Sequence, residues 1–223
     1  MDGHRQRLYE RFEEVGLKGF SEHEKLEILL TLVIARRDCK SIAKNLLKHF
    51  GSLSAMFHAN AQEWVKVNGI GPKSALFLSV IKAVVAESFK QDLQKKQIFN
   101  QAHEVVSYLF LARETQRREV LKVLYLDAKN ALIADEIMGE GTIDEVPVYI
   151  RSLVEEALKH NAKGVILVHN HPSGNPRPSQ ADKDITKKIQ EALKLIQVDV
   201  LDHIILGDQR YVSFVKEGFL RSS

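Results

Sequence analysis

Apolar residues recur at helical spacing through the first part of the chain. Ser21, with Glu24 three residues later, predicts a capped helix start in front of the apolar stretch 25–30. Gly51 predicts the end of a second helix, and Pro72 suits the first turn of a longer one. We therefore expect an all-α region with helices over about 21–30, 41–50, 52–58, 61–67 and 72–89.

The second part of the chain alternates strand and helix patterns. The stretch 119–126 is almost continuously apolar, which is typical of an interior strand. We expect strands over about 119–126, 131–138, 164–169, 198–206 and 211–215, and helices over about 101–112, 148–160 and 181–196. A turn over 139–141 should close the second strand. This alternation predicts an α/β fold in which helices pack on a sheet.

A polar stretch separates the two patterns. Residues 91–97 carry almost no apolar side chains and are the best candidate for a linker. The sequence therefore predicts a helical domain over 1–90, a linker over 91–99 and an α/β domain over 100–223.

Composition indicates the cellular compartment of the protein and excludes sites built from several cysteines. The apolar stretch 28–35 is too short to span a bilayer, and the charged N-terminus lacks the apolar segment of a secretion signal. Cys39 is the only cysteine, which excludes an intrachain disulfide and a multi-cysteine metal site. We therefore expect a cytoplasmic protein without membrane partners.

The distribution of charge favours residues 1–90 as the region that would bind a phosphate-containing partner such as nucleic acid. The net charge of the whole chain is only +3, but residues 1–90 hold 14 Lys and Arg against 10 Asp and Glu. The remainder is close to neutral, so an electrostatic attraction to nucleic acid belongs to residues 1–90.

Two histidines end the predicted strand 164–169. His169 and His171 alternate, so both imidazoles should project from the same side of the strand end, with Asn170 pointing away. A turning loop rich in Pro and Gly follows, and a helix begins at Ser179. Asp182 lies in its first turn, where the returning chain can place the carboxylate beside the histidines.

Two histidines and one carboxylate form a ligand set typical of catalytic zinc, which keeps a fourth position for water. The same set would accept iron or manganese. A purely structural interpretation also fits, because Ser179 and Asp182 form a Ser-x-x-Asp helix start. The spacing alone leaves these alternatives open.

The string His169-Asn170-His171-Pro172, followed by Ser179 and Asp182, resembles the signature of JAMM (MPN+) metalloproteases. With Ser173-Gly174 and Pro178 it is similar, more narrowly, to the bacterial RadC family. The resemblance is close from about residue 100 onwards and looser before it. It implies a JAMM/MPN-like sheet flanked by helices, with His169, His171 and Asp182 binding one Zn²⁺ per chain.

The resemblance also implies a glutamate that acts as general base and a serine that binds the oxyanion. Glu119 matches the position of the glutamate, and Ser179 that of the serine. From the residues alone the acid stays open among Glu119, Asp127, Asp135, Glu136, Glu140, Asp144 and Glu145. Glu119 has the alternative of a solvated charge at the strand entry. His203 recurs in the family, and we interpret it as a structural histidine or as a support of the ligands.

Gly69-Ile70-Gly71-Pro72-Lys73 resembles the turn of a helix-hairpin-helix. Gly69 and Gly71 would permit a tight turn whose backbone N–H groups, together with Lys73, could hold a DNA phosphate without base specificity. A helical connection or a protein-binding module is the alternative. Possible DNA contact is therefore predicted for residues 60–80.

The leading hypothesis is a zinc-dependent hydrolase of a peptide or isopeptide bond in a peptide or protein substrate. The alternative is a DNA-associated binding protein, with an accessory role in DNA repair, whose metal site is structural or vestigial. A nuclease fits less well, because phosphodiester hydrolysis commonly uses two metals. The sequence predicts no oligomeric state.

Overall fold

The structure is a computed structural model that describes residues 2–95, 102–112, 119–140, 146–207 and 210–220. The chain divides into two compact units, residues 1–85 and 86–223. Within the described residues, no helix is both long and apolar enough to cross a membrane.

The first unit is helical, as predicted. Its helices are α1 (Asp2–Val15), α2 (Glu22–Thr31), α3 (Cys39–Phe50), α4 (Leu53–His58), α5 (Ala61–Trp64) and the first part of α6 (Pro72–Lys95). Leu26, Leu46 and Trp64 are fully buried in its core. The Trp64 Nε1–H donates to the Met56 carbonyl, 2.8 Å away, so this buried polar group is satisfied.

The predicted helix boundaries follow from capping residues. Ser21 caps α2 with Glu24 as its capping-box partner, and Gly51 ends α3 with a φ of 85°. Helix α3 begins at Cys39 rather than at residue 41, and α5 ends at Trp64 rather than at residue 67. Two larger features also differ from the prediction. The N-terminal helix α1 was not predicted, and α6 continues six residues beyond Phe89, so residues 91–95 of the predicted linker are helical.

The second unit is the predicted α/β arrangement. It holds the last part of α6, then α7 (Ala102–Ala112), β1 (Val120–Leu126), β2 (Leu132–Glu140), α8 (Val146–Lys159), β3 (Gly164–Asn170), α9 (Gln180–Lys194), β4 (Asp199–Leu206) and β5 (Tyr211–Ser213). The predicted turn over 139–141 is wrong for Gly139 and Glu140, which belong to β2; residue 141 lies outside the described residues.

The five strands form one mixed sheet in the order β2-β1-β3-β4-β5. Strands β3 and β4 are parallel, and the other neighbours are antiparallel. All seven residues of β3 are buried, because strands flank it on both sides and helices cover the sheet.

Each side of the sheet has its own core. On one side, Leu153 of α8 and Ile189 and Leu193 of α9 pack against Val123, Val165 and other residues of the sheet. On the other side, Leu93 of α6 and Leu109 of α7 pack against a second set, which includes Leu124, Ile166 and Ile204. These two layers hold β3 and α9 in fixed positions, which determines where their ends meet.

The topology brings three chain segments to one edge of the sheet. Strands β1 and β3 are antiparallel and pair Leu121 with His169, so β1 begins where β3 ends. Helix α9 follows β3 and starts at the same edge. Side chains at residues 119, 169–171 and 179–182 are thereby brought together although they are up to about sixty positions apart in sequence.

Candidate metal centre

Four potential metal ligands converge at this edge: Glu119, His169, His171 and Asp182. Each offers one ligand atom, and these atoms lie within 4.8 Å of one another. His169 and Asp182 are buried, whereas Glu119 and His171 are partly exposed. The cluster therefore lies mostly in the protein interior and is accessible to solvent on the side of Glu119 and His171.

His169 lies between the two carboxylates. Its Nδ1 is 3.3 Å from Asp182 Oδ1, and its Nε2 contacts Glu119 Oε1. Burial lowers the pKa of the His169 imidazole below its ordinary value, against the opposing influence of the carboxylates. A neutral imidazole is the form that binds a metal.

The backbone around His171 sets the tautomer of its ring. The His171 N–H donates to the Leu206 carbonyl at 2.9 Å, and the ring Nδ1 lies 2.8 Å from the Asn175 carbonyl. A carbonyl only accepts hydrogen bonds, so Nδ1 carries the proton and a neutral ring keeps the lone pair on Nε2. Nε2 is 3.4 Å from Asp182 Oδ2 and faces the cluster.

Asp182 is fully buried at the start of α9. Its Oδ2 accepts hydrogen bonds from the backbone N–H and the hydroxyl of Ser179, both at 2.7 Å. Burial raises the pKa of Asp182, but these hydrogen bonds and the two nearby imidazoles outweigh that effect, so the pKa lies below its ordinary value. The carboxylate is thus held ionised in the interior.

The donor set fits a metal ion. Asp182 Oδ1 is buried and accepts no hydrogen bond from the described residues, an arrangement that is costly for a carboxylate without a cation. In a tetrahedral zinc site with bonds of about 2.0–2.1 Å, ligand atoms lie roughly 3.3 Å apart. The distance of 3.3 Å between His169 Nδ1 and Asp182 Oδ1 matches that spacing, and His171 Nε2 lies 3.4 Å from the other carboxylate oxygen, Oδ2.

The Ser179 hydroxyl is already committed to Asp182. It accepts a hydrogen bond from the Asp182 N–H at 3.1 Å and donates its proton to Asp182 Oδ2. The family resemblance implies that this hydroxyl binds an oxyanion. In the structure, an oxyanion could receive the hydroxyl proton only by exchange with the Asp182 bond.

The sequence left several acids open as the general base. Among those that the structure describes, Glu119 is the one that lies in the cluster. Asp127 caps a turn, Asp135 pairs with two lysines, and Glu136 lies 2.9 Å from His160. Glu140 lies at the end of β2, and Asp144 and Glu145 lie outside the described residues. Glu119 contacts His169, which argues against a freely solvated side chain.

A buried chain of hydrogen bonds behind Asp182 was not predicted. The Thr186 hydroxyl donates to the Asp182 carbonyl and therefore accepts from His203 Nδ1, 2.7 Å away. Burial lowers the pKa of His203 to about 3, and its ring stacks on His169 at 6.0 Å between centroids. Only the position of Thr186, one turn after Asp182 on α9, could have indicated its role.

A second group of potential metal ligands was also not predicted from the sequence. It consists of Glu136, Glu156 and His160. Glu136 lies on β2, Glu156 on α8 and His160 directly after α8. His160 pairs with both glutamates, and Lys159 Nζ lies 2.8 Å from Glu156 Oε2. Because this lysine supplies a positive charge, an ion-pair cluster accounts for the group.

Comparison with known families bears on both units. The family model described as RadC-like JAB domain matches residues 99–219, more than half of the chain. The chain belongs to the RadC family. A second model, described as UPF0758 N-terminal, matches residues 3–76. The RadC match and the five-stranded sheet with its helices confirm the expected JAB/MPN-like α/β fold.

For this RadC protein, the fold and the cluster together support a coarse functional statement. The RadC-like JAB domain fits a JAMM-type hydrolase fold, and Glu119, His169, His171 and Asp182 could bind a metal ion. The identity of the metal and the role of each residue are matters for the proposal below.

The residues predicted to contact DNA lie in the first unit, Gly69 and Gly71 in the turn before α6 and Lys73 in its first turn. Gly69 has a φ of 100°, and a Cβ there would come within 2.6 Å of the Ile42 side chain, so glycine is required. Lys73 is exposed in the first turn of α6. Contact of Gly69, Gly71 and Lys73 with a DNA backbone stays a prediction.

Proposed function

We propose that this RadC protein is a zinc-dependent hydrolase that cleaves a peptide or isopeptide bond. The observation that carries the proposal is the convergence of Glu119, His169, His171 and Asp182 at one edge of the sheet. Two imidazoles and a buried carboxylate match a three-ligand catalytic zinc set, and a fourth acid remains beside them.

His169, His171 and Asp182 would hold the zinc. The protein prepares each of them: burial keeps His169 neutral, the Asn175 carbonyl fixes the tautomer of His171, and Ser179 keeps Asp182 ionised. When bound, zinc supplies Lewis-acid polarisation of an amide carbonyl and lowers the pKa of a coordinated water to about 7.

Glu119 is the proposed general base. Its carboxylate lies at the partly exposed side of the cluster, where it can take a proton from the attacking water and pass it to the leaving amine. Nothing else in the described cluster is free for this role, because Asp182 is fully buried and bound to Ser179.

The proposal is tested by cleavage of a peptide library with the zinc-loaded protein, with Glu119→Gln alongside. We expect metal-dependent cleavage by the wild type, and a loss of at least about 100-fold in Glu119→Gln with the metal still bound. Glu155→Gln is the matched control, because Glu155 is an exposed side chain on α8. It should cleave like the wild type.

Full activity in Glu119→Gln would contradict the general-base assignment. Absence of any metal-dependent hydrolysis by the metal-loaded wild type would favour the other class of function, a DNA-associated protein with a structural metal site.

A further inference from the structure

Asn170 is a buried polar residue between the two histidines, and the proposed chemistry gives it no task. It is the last residue of β3, and only 3% of its surface is exposed. Strand alternation turns it away from His169 and His171, so it is not a ligand of the same cluster. Its contacts show where it acts.

The Asn170 side chain joins the ends of β3 and β1. The last backbone pair between these strands is Leu121 with His169. Beyond that pair, the Val120 N–H donates to Asn170 Oδ1 at 2.8 Å. A side-chain amide therefore extends the ladder of hydrogen bonds by one step at the edge that carries the candidate metal centre.

This hydrogen bond fixes the peptide that links Glu119 to Val120. Glu119 precedes β1 and lies outside the regular strand, so the strand pairing ends before reaching it. Val120 is paired with Glu140 of β2 on one side, and on the β3 side Glu119 is held by the Val120 N–H bond to Asn170 and by its own contact with His169. The same residue that separates the two histidines thus anchors the chain beside the carboxylate.

We propose that Asn170 is a positioning residue that holds Glu119 in place for proton transfer. The inference rests on the proposed function, because it acts through Glu119 as general base. A displacement of about 1 Å in a reacting group can lower a rate by about 100-fold, so a single backbone anchor is enough to matter. A side chain without an acceptor atom at this position could not bind the Val120 N–H.

The test compares Asn170→Leu with Asn170→Asp in the zinc-loaded protein. Leu has the same number of side-chain heavy atoms and no acceptor, whereas Asp keeps an oxygen at the same reach. We expect kcat to fall by about 10- to 100-fold in Asn170→Leu, with KM and zinc affinity close to the wild-type values. Asn170→Asp should recover most of the lost rate.

Two further measurements separate positioning from general destabilisation. Hydrogen exchange of the Val120 amide, followed by NMR, should be slow in the wild type and in Asn170→Asp but fast in Asn170→Leu. Asn170→Leu should add no further loss to kcat in the Glu119→Gln background, because it acts through that carboxylate. Asn60→Leu, which removes a helix cap in the first unit, should leave kcat unchanged.

An unprotected Val120 amide in the wild type would overturn the inference whatever the activity. The inference would also be overturned if the fold losses in kcat of Asn170→Leu and Glu119→Gln multiplied in the double variant. Full activity of Glu119→Gln is a different result: it removes the proposed base, and the inference with it.

Discussion

Ser179 and Asp182 depend on each other at the start of α9. Ser179 caps the helix by accepting from the Asp182 N–H, and its own N–H and O–H both donate to Asp182 Oδ2. The structural and functional interpretations of this motif are therefore not exclusive. The capping box is also the device that orients and ionises a proposed metal ligand.

We predict that Ser179→Ala weakens zinc binding. The loss of the hydroxyl donor leaves Asp182 less well oriented, so the dissociation constant should rise by roughly 10- to 100-fold. The loss of the cap should lower the free energy of unfolding by about 1 kcal/mol. Calorimetric zinc titration and urea unfolding measure the two effects, and Ser179→Thr, which keeps the hydroxyl, is the control.

Unchanged zinc affinity in Ser179→Ala, together with a kcat reduced by about 100-fold or more, would contradict this account. It would instead assign the hydroxyl to the oxyanion.

At the scale of the elements, one buried carboxylate links β2 to β1, α6 and α7. Asp135 of β2 accepts from Lys122 Nζ of β1 and from the Tyr108 hydroxyl of α7, both at 2.7 Å, and Lys90 of α6 contacts its other oxygen. Only 6% of the Asp135 side chain is exposed. Burial disfavours its charge, but these donors outweigh burial and lower its pKa to about 2, from 3.8.

We predict that this network makes the stability of the second unit depend on pH. Asp135 binds its proton less tightly in the folded protein than in the unfolded chain. Its contribution to the free energy of unfolding is therefore present above about pH 3.8 and is lost as pH falls through about 2. It amounts to about 2 kcal/mol. Urea unfolding of the metal-free protein at pH 7 and across this window should show a smaller pH dependence in Asp135→Asn.

Other carboxylates titrate in the same window, so the difference between the two proteins is the quantity to compare. Glu155→Gln, at an exposed position, should keep the wild-type pH dependence. An identical pH dependence in Asp135→Asn and the wild type would contradict the prediction.

Local patterns predicted most of the elements, because caps, glycines and apolar periodicity act within a few residues. Ser21 and Gly51 placed helix boundaries, and strand alternation placed His169 and His171 together. The contact of Glu119 with His169 spans 50 positions and depends on the antiparallel pairing of β1 with β3. The sequence could reach it only through family resemblance, and the anchor at Asn170 was not predicted at all.

At the scale of the whole molecule, function in this account is concentrated at one edge of one sheet. Strand β1 contributes its beginning, β3 its end, and α9 its first turn. The buried layers on both sides of the sheet fix these three ends, so the ligands are already close together in the folded chain. Such an arrangement reduces the reorganisation needed for metal binding.

The central claim is that His169, His171 and Asp182 hold one metal ion. Elemental analysis of the purified protein, reconstituted with zinc and freed of excess metal, tests it most directly. We expect about one zinc per chain in the wild type, close to none in His171→Ala, and the wild-type amount in His49→Ala, a control on the exposed side of α3. Equal zinc in His171→Ala and the wild type, or none in the wild type, would contradict the account.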